Sequence, residues 1–343
     1  MKRVFIGFVI GLLLLALVSA CSLTDILSNA SEGDGTAGGS DDSGSADGGG
    51  QPVASIDMNQ LSGSNSPGLV RKDKKKYNSD DFAARTIPVE VTLSGPITPQ
   101  VRYDGALAEP NYEVQDGSSM NLRIYLVFYL PGESVLTQGP DSIYFSSYKM
   151  KWTVELFNTG GSLLQTSEIN VNSALQPAYL HAFDAYMNAI PAAATSAKVA
   201  VKFEEELRMG ASCIEPSPDL FCATASDTVK PAPDAILQVS PVQMRIEKDN
   251  WNETYAKDSA LGNITFQYRN PYKIGLSPII TLLFTDNSGE LVGYHRIDDY
   301  IEPGQLRGRT DPDYYQTSYF SAIPTGVQVY TWVSVSDLIT ALR

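Results

Sequence analysis

The sequence predicts an all-β chain, two tandem β-sandwich domains that follow a disordered linker. Three observations predict it. From about Arg85 onward, short apolar or alternating runs rich in Val, Ile, Tyr, Phe and Thr are separated by turn residues, as half-buried strands should be. Two motifs each occur twice, in the same order and at comparable spacing, which points to a diverged duplication. A stretch of Gly, Ser and Asp without large apolar residues precedes them all, and such a composition cannot bury enough surface to offset its ordering entropy.

Residues 1–20 read as an export signal. Lys2 and Arg3 form its positive end, Val4 to Val18 its apolar run, and the small Ser19 and Ala20 stand just before Cys21, the three-part layout of a cleaved leader. The run is shorter than the roughly 20 apolar residues that a membrane span requires. Val18-Ser19-Ala20-Cys21 resembles the lipobox of prokaryotic lipoproteins. That resemblance implies a diacylglycerol on the Cys21 sulfur, cleavage before it, and an extracytoplasmic protein held to a cell membrane by its lipid. Ser22 follows in place of the usual retention residue Asp, which implies that the outer membrane is open to it in a two-membrane host.

Residues 21–84 read as the lipidated cysteine and its tether. Ser31–Gln51 is SEGDGTAGGSDDSGSADGGGQ, and about 50 residues of this kind reach roughly 40 Å. The basic cluster Arg71-Lys72-Asp73-Lys74-Lys75-Lys76 reads as a solvated end to the tether, with docking on anionic headgroups as the alternative. Asn29, Asn252 and Asn263 stand in N-x-S/T sequons, which matter only in a host with the transferase.

The first sandwich spans 85–208, with strands expected at Val89–Leu93, Leu122–Leu130, Trp152–Phe157 and Ala197–Phe203 and a turn at Asn158–Gly161. After Pro177, the residues Tyr179, Leu180, Phe183, Tyr186 and Met187 recur at three- and four-residue spacing, which predicts a short helix over one end. Residues 209–236 form a Pro-rich connector containing CIEPSPDLFC. Outside the cytoplasm Cys213 and Cys222 are expected to form a disulfide, worth roughly 2–3 kcal/mol in the chain-entropy account; a metal site is the competing reading, and it would need two further ligands. The second sandwich spans 237–343, with strands at Ile264–Tyr268, Ile279–Phe284 and Val327–Val335, a turn at Asp286–Gly289, and a short closing helix from Ser336.

The repeated motifs are WTVELFNTGGSLLQ (Trp152–Gln165) against ITLLFTDNSGELVG (Ile280–Gly293), then AYMNAIP (Ala185–Pro191) against SYFSAIP (Ser318–Pro324), each followed by a strand. Copies of about 100–125 residues with six to eight strands fit an immunoglobulin-like sandwich. The second copy also resembles the FxLYD-type domains of prokaryotic lipoproteins, through Leu282-Leu283-Phe284-Thr285-Asp286, Gly289-Glu290-Leu291-Val292 and Glu302-Pro303-Gly304. The literal F-x-L-Y-D string is absent, and the resemblance implies a sandwich fold alone.

The chain has a formal charge of −14, and removing Lys2 and Arg3 with the leader gives −16. That sign argues against nucleic acid as a partner. No G-x-S-x-G elbow is present, nor an H-E-x-x-H or phosphate-loop motif, and His181 and His295 read as ordinary polar residues. A carboxylate pair for glycoside hydrolysis is not singled out among 39 acids. No catalytic residue, cofactor or metal is therefore expected. The most promising surface is the long connection Asp298–Phe320. It crowds Asp298, Asp299, Glu302, Asp311 and Asp313 with Tyr300, Tyr314, Tyr315, Tyr319 and Phe320, and Trp251 precedes it. Its spacing fits no known calcium loop, while acids beside aromatic faces suit a sugar or protein contact, and long sandwich loops often bind. The expected function is a non-enzymatic binding or structural module. Its partners would be the membrane, through lipid on Cys21, and an unknown protein or glycan. An accessory subunit of a secretion, pilus or transport assembly is the runner-up, and a hydrolase comes third.

Overall fold

The structure is a computed structural model that describes residues 66–73, 75–111, 114, 117–132, 134–138, 143–177, 180–209, 228–229, 236–248, 260–309 and 318–333. Among them the chain is nearly all β, and none forms an α-helix. A short strand β1 (Leu69–Arg71) comes first. Next come β2 (Arg85–Ile87), β3 (Val89–Ser94), β4 (Gln100–Pro110), β5 (Ser119–Tyr129), β6 (Ser134–Gln138), β7 (Ile143–Phe157), β8 (Leu163–Leu175), β9 (Leu180–Pro191) and β10 (Ser196–Met209). The remainder is β11 (Thr228–Val229), β12 (Gln238–Val239), β13 (Val242–Lys248), β14 (Ala260–Arg269), β15 (Ile279–Thr285), β16 (Leu291–Asp298), β17 (Leu306–Arg309), β18 (Ser318–Tyr319) and β19 (Gly326–Trp332).

The first sheet pair sets β2-β4-β5-β9 against β3-β10-β7-β8, with β6 and then β11 beyond the far half of β7. Pro88 separates β2 from β3 and lets one extended segment change sheets, because it supplies no N–H to either ladder. Alternate residues of each strand meet in one core. Leu122, Ile124, Leu126 and Phe128 of β5 face Trp152, Val154 and Leu156 of β7 and Val199, Val201 and Phe203 of β10. The second pair sets β12/β13-β14 against β16-β15-β19, with β17 and β18 sharing the other edge of β14. Its core joins Val242, Met244, Ile264 and Phe266 to Ile280, Leu282, Phe284 and Val329.

The two pairs have the same strand order. β4-β5-β9 corresponds to β13-β14-β17/β18, and β10-β7-β8 to β19-β15-β16. Detail at the shared hairpin is also common. Each has a register shift beside its turn, at Leu156/Phe157 and at Phe284/Thr285. Asn158 and Asp286 each accept a hydrogen bond through Oδ1 from the backbone N–H four residues on, at 2.9 and 3.0 Å. Thr195 and Thr325 each donate their N–H back across the strand end, to Phe157 and Thr285, both at 2.8 Å. The strand order differs from an immunoglobulin constant domain, in which the last two strands share a sheet; here β9 pairs β5 while β10 pairs β7.

Two sequence expectations need correction. Where a helix is expected after Pro177, residues 180–187 belong instead to the strand β9, and Tyr179 lies outside the described residues. Phe183, Ala185 and Met187 enter the first core, whereas Leu180 and Ala182 pack on the opposite side. Apolar residues on both faces of a strand mimic helical spacing. The tether, read to residue 84, gives way to structure earlier, and on the second sheet pair. β1 runs parallel to β13 from Leu69↔Val242 to Arg71↔Met244. Asp73 accepts from Arg71 and from the Ile246 N–H, and the Tyr77 ring is buried in the second core with its hydroxyl donated to the Ile246 carbonyl. Lys74, Cys21, Cys213, Cys222 and the closing segment from Ser336 lie outside the described residues.

The sheets stack in four layers. The face of β2-β4-β5-β9 turned away from the first core packs on the face of β16-β15-β19 turned away from the second. Leu107, Tyr125, Val127 and Ala182 there meet Leu283, Leu291 and Tyr330. Backbone and side chain approach closely enough that a β-carbon on Gly105 would stand 2.8 Å from Leu291 Cβ. Thr86 Oγ1 closes the margin, donating to the Leu291 carbonyl at 2.7 Å and lying 2.7 Å from Ser321 Oγ.

Candidate functional site

Of the surface singled out from the sequence, residues 298–309 and 318–320 are described, and Asp298 to Glu302 form a corner after β16 that uses its polar groups internally. Asp299 accepts from Tyr268 Oη at 2.6 Å, from Arg307 Nη1 at 2.6 Å and from the Tyr300 N–H at 2.8 Å. It therefore ties the corner to β14 and β17. Asp298 is exposed and lies 3.5 Å from the Arg296 guanidinium. Glu302 opens a turn closed by the Gln305 N–H, with Gly304 at φ 67°. The Tyr300 ring is half-exposed and lies over Gly275. Asp311, Asp313, Tyr314, Tyr315 and Trp251 lie outside the described residues. Phe320 is not on this surface, because it is fully buried in the second core. Among the described residues no group of three or more His, Cys, Asp or Glu side chains is placed to hold a metal.

The sequence reading missed a polar cluster where the two sheet pairs meet. Asp184 of β9 accepts from Arg123 Nη1 of β5 and from Arg296 Nη1 of β16, each at 2.7 Å. One carboxylate thus joins both sheet pairs. The Arg123 guanidinium also lies 4.7 Å from the Tyr186 ring centre and 5.1 Å from that of Tyr294, within cation–π range. Glu109 of β4 completes the group: burial pushes its carboxyl up, while a hydrogen bond from Tyr294 and the charge of Arg123 pull it back. The available signal was a charge inside an otherwise apolar run, Arg123 in LRIYLVFY and Asp184 in HAFDAYM, since such a charge stays buried only when paired.

Tyr125 sits in the same interface, its hydroxyl buried without a hydrogen-bond partner among the described residues, and burial raises its pKa well above the usual phenol value. Removing an unsatisfied buried hydroxyl while keeping the ring should not destabilise. Tyr125→Phe is accordingly expected to raise stability by about 1 kcal/mol. A denaturant midpoint lower than that of the parent would contradict this account.

Beside the cluster is a cleft of ≈ 290 Å³. Five consecutive residues of β8, Ile169–Ser173, form one wall, and six of β9, His181–Tyr186, form another; Ile279 and Arg296 from the second sheet pair close it. Consecutive residues of a strand line a cavity only when its edge faces inward, because side chains alternate between faces. β8 pairs with β7 and β9 with β5, so among the described strands each is the last of its sheet on the side of the cleft. Tyr186 is 42% exposed at the rim. At the inner end the His181 ring stacks on Trp332, 4.9 Å between centres and 14° between planes.

The fold thus defines an all-β protein built of sandwich-like sheet pairs. No protein-family model matches the chain, and no curated protein matches it. Among solved structures, a mutant of Bacillus subtilis oxalate decarboxylase aligns over 68% of this chain and 74% of its own, at 9% identity and a TM-score of 0.11. Vicilin from Corylus avellana (hazelnut) aligns over 76% and 85%, at 9% identity and a TM-score of 0.10. The N-terminal CBM22 tandem domain of Paenibacillus barcinonensis Xyn10C aligns over 71% and 90%, at 12% identity and a TM-score of 0.08. Scores this low carry no argument about fold or activity.

Proposed function

We propose that the chain is a lipid-anchored, extracytoplasmic module that works by binding or scaffolding rather than by turnover. The observation that carries this reading is the locking of two sheet pairs, face to face, through an apolar interface pinned at Asp184. Acids and aromatics are used as internal ties there and again at Asp299, which suits a stiff display body. The lipobox at Cys21 and the Gly/Ser/Asp-rich composition after it support a base at the membrane. The common strand order supports descent of the two sheet pairs from one immunoglobulin-like sandwich, with strands rearranged from the antibody pattern.

Three measurements test the reading. Cys21→Ala should move the protein from the membrane fraction to the soluble one and remove the lipid mass from its N-terminus. Crosslinking in cells should recover a protein or glycan ligand without a fixed stoichiometric membrane partner; a stoichiometric one would replace this reading with the accessory-subunit role. Hydrolysis of a glycoside, ester or peptide panel that is abolished by a carboxylate substitution would overturn it in favour of an enzyme.

A further inference from the structure

We propose that the cleft between β8, β9 and the second sheet pair is the binding site of that module and takes a short neutral oligosaccharide. The inference rests on the binding reading above and names its site and ligand class. Charge comes first. The ionic groups at the cleft are Asp184 and Arg296, and they are spent on each other at 2.7 Å with Arg123 behind them. An ionic ligand would have to compete with a partly buried pair, and breaking such a pair is costly. A neutral ligand can instead hydrogen-bond to the outer sides of both groups.

Shape and surface chemistry agree with that choice. The floor is apolar, from Phe183 and Ile169, while the wall carries the polar residues Asn170, Asn172 and Ser173, whose side chains can both donate and accept hydrogen bonds. A sugar ring presents the same combination, an apolar face and a rim of hydroxyls. Tyr186 stands at the mouth with 42% of its surface exposed. The Arg123 guanidinium supports its ring from one side and so holds it as a stacking platform, since aromatic rings carry a large apolar face at low entropy cost. The β8 wall extends about 15 Å at the usual rise per residue, a length suited to a few linked sugars. The site needs both sheet pairs, because Arg296 and Ile279 come from the second.

The test titrates the full chain, in detergent, with cellotriose, maltotriose and chitotriose, by calorimetry and by tryptophan fluorescence. Trp332 stacks on His181 at the inner end of the cleft, so occupancy should change its emission. Saturable binding of at least one trisaccharide is expected. Tyr186→Ala should weaken it at least tenfold and Tyr186→Phe should preserve it. Ser173→Phe, which fills the cleft from the β8 wall, should abolish it. Lys202→Ala on β10, remote from the cleft, should leave it unchanged, and thermal melts confirm that each variant is folded. The proposal is overturned if none of the three sugars saturates, or if binding survives both Tyr186→Ala and Ser173→Phe. In the second case the binding-module reading stands and only the cleft is wrong. Saturation by an extended peptide in place of every sugar would also overturn it, and would assign the cleft to peptide recognition.

Discussion

Replacing Phe320 by alanine is expected to lower the stability of the chain by about 3–5 kcal/mol, the usual cost of removing a buried phenylalanine. The ring is fully buried and meets Phe284 edge-on, with centres 5.3 Å apart and planes at 72°. It fills a slot made by two glycines. A β-carbon on Gly262 of β14, or on Gly293 of β16, would fall inside the van der Waals envelope of the ring. Phe320 is therefore a wedge between the two sheets of the second pair, placed by the bridge Gly293↔Phe320 and by the Ser321 N–H donated to Val292 at 2.9 Å. Gly293→Ala should overpack the slot and cost about 1–3 kcal/mol. In the double variant the clash partner is gone, so the two effects should fall short of their sum by at least about 1 kcal/mol, within the range seen for residues in contact. Urea unfolding of the four proteins reads this directly, provided the m-values agree. Strict additivity would show that the ring does not depend on the glycine slot.

Phe320 also shows where sequence reading ran short. In the sequence it stands among tyrosines and acids and looks like part of a binding loop. Only the pairing of residues far apart, Gly262 and Gly293, reveals a core slot, and neither glycine announces its partner. Other features were more legible. The strands at Val89, Trp152, Ala197 and Ile264 fall where alternation and turn residues put them, because each has one clear inner face. The hairpins at Asn158 and Asp286 were legible because the turn chemistry is local, an Asx side chain capping a neighbouring N–H with a glycine at positive φ three residues on.

The stacking of the sheet pairs was written in the sequence in a form that alternation does not capture. LRIYLVFY in β5 and IITLLF in β15 are nearly continuous apolar runs, and such runs belong to strands buried on both faces. Those two strands lie at the centres of the two sheets that meet. The corresponding strands on the outer layers alternate instead. β14 turns Asn263, Thr265 and Gln267 away from its core, and β7 turns out Lys149 and Lys151, which pair with Glu206 and Glu168. Equivalent faces of the two sheet pairs thus carry opposite chemistry: each pair is apolar on the side that meets the other and polar on its outer side. Of the cluster at Asp184 only the lone charges inside apolar runs were legible; which of them meet was not, because Arg123 and Asp184 are joined by strand pairing and Arg296 by the stacking.

The larger pH effect should come from His181. The side chain is 4% exposed, stacks on Trp332, and lies 4.0 Å from the Phe183 ring centre; its Nδ1 is buried without a partner among the described residues. Burial, with a contribution from Arg296, pulls its pKa from 6.5 down to about 3. In the unfolded chain the imidazole takes up a proton below about 6.5, and in the folded chain it does not until about 3. Stability is therefore complete above the unfolded value and falls as the pH drops through this window, by about 1.4 kcal/mol per unit. Between pH 7 and pH 4 the loss should reach about 3 kcal/mol. Glu109 works in the other direction, since burial raises its pKa and favours the folded state at low pH. Asp73 and Asp286, whose values are lowered, lose stability only as the pH falls toward and below the ordinary carboxylate range. His181→Phe keeps a ring against Trp332 and removes the proton. Its unfolding free energy should vary less across pH 7 to 4 than that of the parent, with the difference near 3 kcal/mol, and its acid midpoint should lie lower. The His181 imidazole resonance of the parent should show no titration near pH 6.5. Equal pH slopes for the two proteins, or a titration of His181 near 6.5 in the folded state, would mean that the ring is hydrated and that the junction between the sheet pairs admits water.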